Sequence, residues 1–328
     1  MKQGGSATLV TGGAGFLGSH LVNSLVADGR RVIAIDNLST GRVANLAGAL
    51  ESGSATFVFA DVATTPQRLR EIAATAKIAA IETIYHLASP ASPEAYGRHP
   101  WETLAVNGTG TMSLIELALE RGARFVFAST SEIYGDPLVH PQPEDYFGNV
   151  DPVGPRSCYD EGKRFGEAAV AAAVRARELD GRIVRFFNCY GPAMERGDGR
   201  LIPQFMEAAL DGKPFPVHGS GLQTRSLTYV ADAIALLRRF AELPAPRLGP
   251  INVGNDDERT VLEIARAIAE IANVPLRCEH LPAREGDPQR RRPDLAYARS
   301  IGWSPATTLG DGLRRTLDWF RADRFSYA

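Results

Sequence analysis

Tyr159 and Lys163 stand four residues apart, just after Ser157 and with Asp160 and Glu161 between them. On a helix that spacing puts both on one face. A tyrosine hydroxyl with a free pKa of about 10 is a poor base. A nearby lysine ammonium and the positive ring of a nicotinamide lower it. Tyr159 can then take a hydroxyl proton while hydride leaves the same carbon, and Lys163 can hold the nicotinamide ribose. Y-x-x-x-K alone is common by chance. It gains weight from Thr130-Ser131-Glu132, one strand and helix earlier, where Thr130 can hydrogen-bond the hydroxyl being oxidised. Oxidation alone needs no second acid. Glu132 therefore points to a further proton transfer, or else is a solvated loop acid.

A cofactor site is legible upstream. The apolar run Ala7 to Val10 ends in Thr11-Gly12-Gly13-Ala14-Gly15-Phe16-Leu17-Gly18, and an amphipathic pattern follows through Leu21, Leu25 and Val26. Strand, turn and helix make G-x-x-G-x-x-G meaningful: Gly12 for a sharp turn, Gly15 for the approach of a pyrophosphate, Gly18 for close helix packing. The helix N-terminus then faces the phosphates. Asp36 ends the next apolar run at about the expected 20-residue spacing. An acid there binds ribose hydroxyls and repels a 2′-phosphate, so the cofactor expected is NAD. Its contacts are Gly12, Gly15, Phe16, Leu17 and Gly18 at the turn, and Asp36, Asn37, Ser39, Thr40 and Gly41 around the adenosine ribose. Asp61 and Val62, Leu87 and Ser89, and finally Tyr159 and Lys163 complete the path.

These residues need a frame. Apolar runs at Ala55–Ala60, Thr83–Leu87, Arg124–Ala128 and Arg182–Phe187 lack period-two alternation and are separated by helical patterns. That predicts an α/β chain: a Rossmann-type, doubly wound parallel sheet with sites at its strand ends. Helices are expected from Pro66 toward Ile78, from Pro100 to about Arg121, and from an N-cap at Ser157 to about Glu178. Beyond Pro192 the strands shorten, Thr260-Val261-Leu262-Glu263 is a capping box, and a last helix starts at Thr308 and Asp311 and ends near Phe320. The expected division is a cofactor domain over 1–191 and a smaller mixed α/β substrate lobe over 192–328, with a soft boundary. The 328 residues are 44% hydrophobic and 23% charged with net charge -2. That balance argues against nucleic-acid and membrane partners. Three cysteines and a first strand within ten residues of Met1 suggest a cytoplasmic chain without a signal peptide. No Cys/His/Asp spacing suggests a metal.

The motifs resemble the extended short-chain dehydrogenase/reductase superfamily. The resemblance narrows with Tyr85-His86-Leu87-Ala88-Ser89-Pro90-Ala91-Ser92-Pro93, Ala128 to Pro137, Cys158-Tyr159-Asp160-Glu161-Gly162-Lys163-Arg164, Gln223-Thr224-Arg225 and Gly286 to Asp294. Together these are similar to the UDP-glucuronic acid decarboxylase family, also called UDP-xylose synthases, along nearly the whole chain. The resemblance implies oxidation at C4 of UDP-glucuronic acid by NAD, loss of CO2 from the β-keto acid, and reduction to UDP-xylose. It implies Tyr159 as base with Thr130 assisting, and Glu132 and Arg225 serving decarboxylation and protonation of C5. Asn188 can donate to the diphosphate. Arg200, Gln223 and Arg292 look like the family's contacts on the UDP side, Arg225 is read as positioning the carboxylate or the enolate it becomes, and Ser89, Tyr96 and Ser131 complete the expected substrate contacts.

Three positions depart from the family's pattern. Ala105 stands where a lysine is usual, Ala193 where an arginine is usual, and Ile202-Pro203 where valine-serine is usual. Relatives pair the helix containing the small residues Ala168 to Val174, and the Pro100–Arg121 helix, with those of a second subunit, which implies a homodimer. A 4,6-dehydratase or 4-epimerase of nucleotide sugars, with the same fold, is the alternative. A non-catalytic NAD-binding protein would need a lost catalytic residue, and Thr130, Tyr159 and Lys163 are all present.

Overall fold

The computed structural model describes residues 6–75, 80–244, 249–284, 286 and 288–323. Seven strands, β1 (Ser6–Thr11), β2 (Arg31–Asp36), β3 (Ala55–Phe59), β4 (Ala80–His86), β5 (Arg124–Thr130), β6 (Gly181–Phe186) and β7 (Pro250–Val253), form one sheet. Their order is β3-β2-β1-β4-β5-β6-β7 and every pairing is parallel. The order reverses between β1 and β4, the place where such sheets open a crevice beyond their carboxyl ends.

Successive strand residues face opposite ways. Leu9, Ile33, Ile84, Phe125 and Ile183 therefore enter one apolar layer, and Val10, Ala34, Tyr85, Val126 and Val184 the other. Apolar residues at both parities are what a sheet covered on both faces requires. The first layer lies under the helices Pro66–Thr75, Thr111–Arg121 and Ser157–Arg177, and the second under Phe16–Ala27 and Val230–Glu242. The left-handed φ of Gly12, 68°, makes the turn after β1. A Cβ on Gly18 would sit 1.9 Å from the Gly12 carbonyl oxygen, so only glycine lets the first helix pack there.

Beyond β6 the helices Leu201–Asp211, Val261–Ala272 and Leu309–Asp323 pack together with three short strand pairs. β7 comes from beyond residue 192 yet completes the main sheet, so the two halves interleave. Thr260 and Glu263 make the reciprocal capping box. Among the described residues no helix is long and apolar enough to cross a membrane.

Some element expectations need correction. Arg156, not Ser157, is the N-cap of the Ser157–Arg177 helix, and no side chain caps it. A turn does the work instead: Ser157 N donates to Gly154 O, and the amides of Tyr159 and Asp160 to Arg156 O. The run from Pro100 is broken into Pro100–Ala105, a π-turn over Val106–Gly110, and Thr111–Arg121. The last helix continues past Phe320 to Asp323. The stretch toward Ile78 and Asp287 of the C-terminal motif lie outside the described residues.

Candidate active site

One cavity of about 690 Å³ runs along the carboxyl ends of the strands. Its cofactor end is built by β1, β2 and the first helix. Gly15 caps that helix without a side-chain bond, so the first helical amides remain open toward the cavity that Phe16, Leu17 and Gly18 line. Asp36 is buried; its Oδ2 accepts from Ala14 N at 3.0 Å and its Oδ1 from Leu38 N at 2.8 Å. Burial pushes its pKa up, and the backbone bonds oppose this. Asn37 donates to Asp61 at 3.2 Å, tying the β2 and β3 ends together. All sixteen residues expected to touch NAD line this cavity. A dinucleotide fits the cradle: a side chain on Gly41 would press within 3.0 Å of Asp36 Oδ2, where a ribose must lie.

The reacting end sits where β5 meets the Ser157–Arg177 helix. Thr130 is the last residue of β5 and hydrogen-bonds Tyr159. Lys163 Nζ donates to Ala128 O at 2.7 Å and lies 4.9 Å from the Phe127 ring centre. Burial draws Lys163 down to about 7, with the charge of Glu167 opposing. Burial also lifts the Tyr159 hydroxyl above its ordinary value, against the Thr130 hydrogen bond. The ammonium is aimed at a carbonyl.

Glu132 is not a solvated acid. Arg291 grips it with two nitrogens, Nη2 to Oε2 at 2.9 Å, and Arg156 grips it from the other side. Burial would raise its pKa, but the charges and hydrogen bonds of Arg291 and Arg156 hold it well below the usual carboxylate range. Arg156 also approaches Asp160 at 4.0 Å, and burial beside the charge of Glu132 raises that acid.

Arg291 is the arginine that reaches Glu132, beside the expected Arg225 and Arg292. Arg225 lines the cavity, but its Nη1 donates to Thr224 O and Pro288 O, at 2.8 and 2.9 Å. Arg292 does not line the cavity: its amide donates to Gln142 Oε1 and its carbonyl accepts from Gln142 N. The segment is extended here, with a bridge at Gln142 and Pro293, so neighbouring side chains diverge and Arg291 faces inward while Arg292 does not. Tyr96 is the other correction. It is buried and stacks behind Tyr159, ring centres 5.2 Å apart, rather than lining the cavity.

The remaining expected contacts do line it. Ser89 accepts from Asn107 Nδ2 at 2.9 Å, and Ser131 follows Thr130. Asn188 has a buried Oδ1 with no partner among the described residues. Arg200 is oriented by Asp198, with Nε to Oδ2 at 2.6 Å, and Gln223 by His218 O at 2.7 Å. Ala193 lines the cavity with a left-handed φ of 64°, whereas Ala105 does not line it. Sequence reasoning missed Arg156, Asp198 and the choice of Arg291. The alternation within the Arg290-Arg291-Arg292 run was the one signal for Arg291, and it counts only once the segment is known to be extended.

The profile of the NAD dependent epimerase/dehydratase family matches residues 8–254. The chain is 42% identical over 314 residues to UDP-glucuronic acid decarboxylase 1 of Danio rerio, covering 95% of this chain and 72% of that protein. Among solved structures it resembles a UDP-glucose 4-epimerase of Thermotoga maritima in complex with UDP-glucose, with TM-score 0.87 and 29% identity over 97% of this chain and 99% of that one. It also resembles UDP-glucuronic acid 4-epimerase of Bacillus cereus in complex with UDP-glucuronic acid and NAD, with TM-score 0.84 and 26% identity over 96% and 99% of the two chains. Likeness of this degree along nearly the whole length places the protein: the chain belongs to the NAD dependent epimerase/dehydratase family, in the group of the UDP-glucuronic acid decarboxylases.

Proposed function

We propose that the chain converts UDP-glucuronic acid to UDP-xylose and CO2 through a UDP-4-keto intermediate. The observation that carries this is Glu132 clamped between Arg156 and Arg291 on the cavity that Tyr159 also lines. NAD, which the Gly12–Gly18 turn, Asp36 and Lys163 would hold, would supply the redox chemistry as hydride transfer at C4. Tyr159 receives the O4 proton, with Thr130 holding the hydroxyl. C4 becomes a carbonyl β to the carboxylate. The bond from C5 to the carboxylate then breaks, CO2 leaves, and the electron pair passes into the C4 carbonyl as an enolate. C5 takes a proton, and Tyr159 gives its proton back to O4 during the final reduction.

Arg291 is buried and forked, suited to pair with a second carboxylate. The substrate carboxylate competes with Glu132 for it. Once Arg291 turns to the substrate, Glu132 keeps only Arg156, and its pKa rises toward a range where it can hold the proton C5 needs. A guanidinium bound too firmly to the carboxylate opposes loss of CO2, so the work of Arg291 is to orient it. Arg291→Met is expected to raise KM for UDP-glucuronic acid at least tenfold, about 1.4 kcal/mol, and to lower kcat as well. Arg292→Met should leave both within about twofold. Equal effects of the two substitutions would remove Arg291 from this role.

The division of labour follows the chain, NAD on 1–191 and the nucleotide sugar on 192–328, with the interleaving that β7 shows. Three free cysteines suit a reducing, cytoplasmic setting. We assign a homodimer on the exposed stripe Phe165, Ala168, Ala172 of the Ser157–Arg177 helix, with Trp101, Leu104 and Met112 exposed on the neighbouring helical run. Trp101→Glu with Phe165→Glu should turn a dimer into a monomer in light scattering at micromolar concentration. A dimer left intact would move the interface elsewhere.

The direct test incubates the protein with UDP-glucuronic acid and NAD and follows CO2 and the sugar nucleotide by NMR. CO2 with UDP-xylose supports the proposal. Turnover of UDP-glucose or TDP-glucose without CO2 from UDP-glucuronic acid would move the assignment to a dehydratase or epimerase.

A further inference from the structure

Tyr159, Lys163 and Glu167 follow one another at four-residue intervals along the Ser157–Arg177 helix, so their side chains form a column on one face. The three last residues of β5 meet this column. Thr130 hydrogen-bonds Tyr159, Ala128 O accepts from Lys163 Nζ at 2.7 Å, and Ser129 Oγ donates to Glu167 Oε1 at 2.5 Å. Helix and strand come this close because of Gly166: a Cβ there would meet the Phe127 ring at 2.3 Å. Arg185 of β6 closes the far side of Glu167, Nε to Oε1 at 2.9 Å and Nη2 to Oε2 at 2.7 Å. The proposed chemistry uses Tyr159 and Lys163 and leaves this partly buried acid without a task.

We infer that Glu167 is a positioning residue for the oxidation step: it sets the register of the helix on β5 and supplies the negative charge that keeps Lys163 protonated. Lys163 is deeply buried and donates to a neutral carbonyl, so its ammonium needs a counter-charge. Its surroundings offer few. His86 of β4 is fully buried and neutral, pushed down to about 3 by burial with the Lys163 charge adding to it. Glu132, beyond β5, is shared by two guanidinium groups, those of Arg291 and Arg156, whereas Glu167 faces that of Arg185, and Asp160 is raised by burial. Arg185 of β6 is a cation and offers no counter-charge. The Glu167 charge opposes the fall of Lys163, which burial draws to about 7. At that value a modest change in local charge decides whether the ammonium is present at neutral pH.

The inference rests on the proposed part of Lys163 in oxidation, not on which sugar acid is turned over, and its test is separable. The chain has four lysines, Lys2, Lys77, Lys163 and Lys213, so lysine labelled with 13C at Cε gives a sparse NMR spectrum. Lys163→Arg assigns the Lys163 signal, and its midpoint is read in the full chain loaded with NAD. Glu167→Gln is expected to lower that midpoint by about half a pH unit or more, roughly threefold in proton affinity. Glu167→Asp, which keeps the charge, should stay near the parent. Arg185→Gln removes a cation and should move the midpoint up. The alkaline limb of kcat/KM should shift in the same directions as the midpoint. A folded Glu167→Gln protein with an unchanged midpoint, or an Asp variant shifting as far as the Gln variant, would overturn the inference. Should Glu167→Gln fail to fold, Arg185→Gln decides it, an unchanged or lowered midpoint being the adverse result. Absence of turnover with UDP-glucuronic acid would defeat the proposed function and leave this titration readable.

Discussion

Glu132→Gln is expected to cut decarboxylation by ~10²–10⁴-fold in kcat, while mixing with UDP-glucuronic acid still produces bound NADH in a single turnover. The split follows from geometry. In the proposed mechanism Tyr159, Thr130 and Lys163 serve the oxidation and stay in place; the proton that C5 needs is what the substitution removes. CO2 release at near the parent rate would sink this role for Glu132. The same change carries a stability cost, because Arg156 and Arg291 lose the carboxylate that neutralises them. Breaking a buried pair costs about 3–5 kcal/mol, a large share of a stability of roughly 5–15 kcal/mol. UDP-glucuronic acid brings a replacement carboxylate, so it should raise the Tm of the variant more than that of the parent, and UDP-glucose should not. Glu132 is held below its ordinary value of 4.5. Its contribution is therefore complete above that pH and is lost as pH falls below it. The stability gap between parent and variant should narrow in acid and stay constant from neutral pH down to the ordinary carboxylate range.

Tyr159→Phe is expected to stop both the oxidation and everything after it, with kcat down ~10²–10⁴-fold, or about 3–5 kcal/mol of barrier. NADH should not form even in a single turnover, which separates this variant from Glu132→Gln. Binding should survive, because the ring stays stacked on Tyr96 and the cofactor cradle is made by other residues. Loss of one hydroxyl bonded to Thr130 costs about 1 kcal/mol of stability. Activity above a tenth of the parent would show that another group, with a water, takes the O4 proton.

Most of this site was legible before any coordinates. Gly12, Gly15 and Gly18 sit on one turn, Tyr159 and Lys163 on one helix, Thr260 and Glu263 on one cap. Each group lies within a single element, where spacing along the chain and spacing in space are the same quantity. Asp36, Asp61, Leu87 and Thr130 were legible for a related reason: a parallel sheet brings all its strand ends to one edge, so polar residues closing apolar runs converge.

What spacing cannot reach is a contact whose two ends come from different segments. Arg156 and Arg291 meet on Glu132 across 24 and 159 residues of chain. Arg292 turns away from the cavity, and Arg225 lines it with Nη1 on two carbonyls, because residue type says what a side chain can bind, whereas direction depends on the conformation of a loop with no periodic pattern. Tyr96 lies behind Tyr159 rather than beside the sugar for the same reason. Burial, which lifts Tyr159 and draws Lys163 down, likewise depends on neighbours that spacing along the chain does not show. The sequence by itself determined the doubly wound sheet, the dinucleotide cradle and the Tyr159–Lys163 pair, through periodicity and local spacing. Tertiary packing alone decided which arginines clamp Glu132, and which charges set the protonation of Lys163, because desolvation and pairing depend on groups the fold brings together from far apart in the chain.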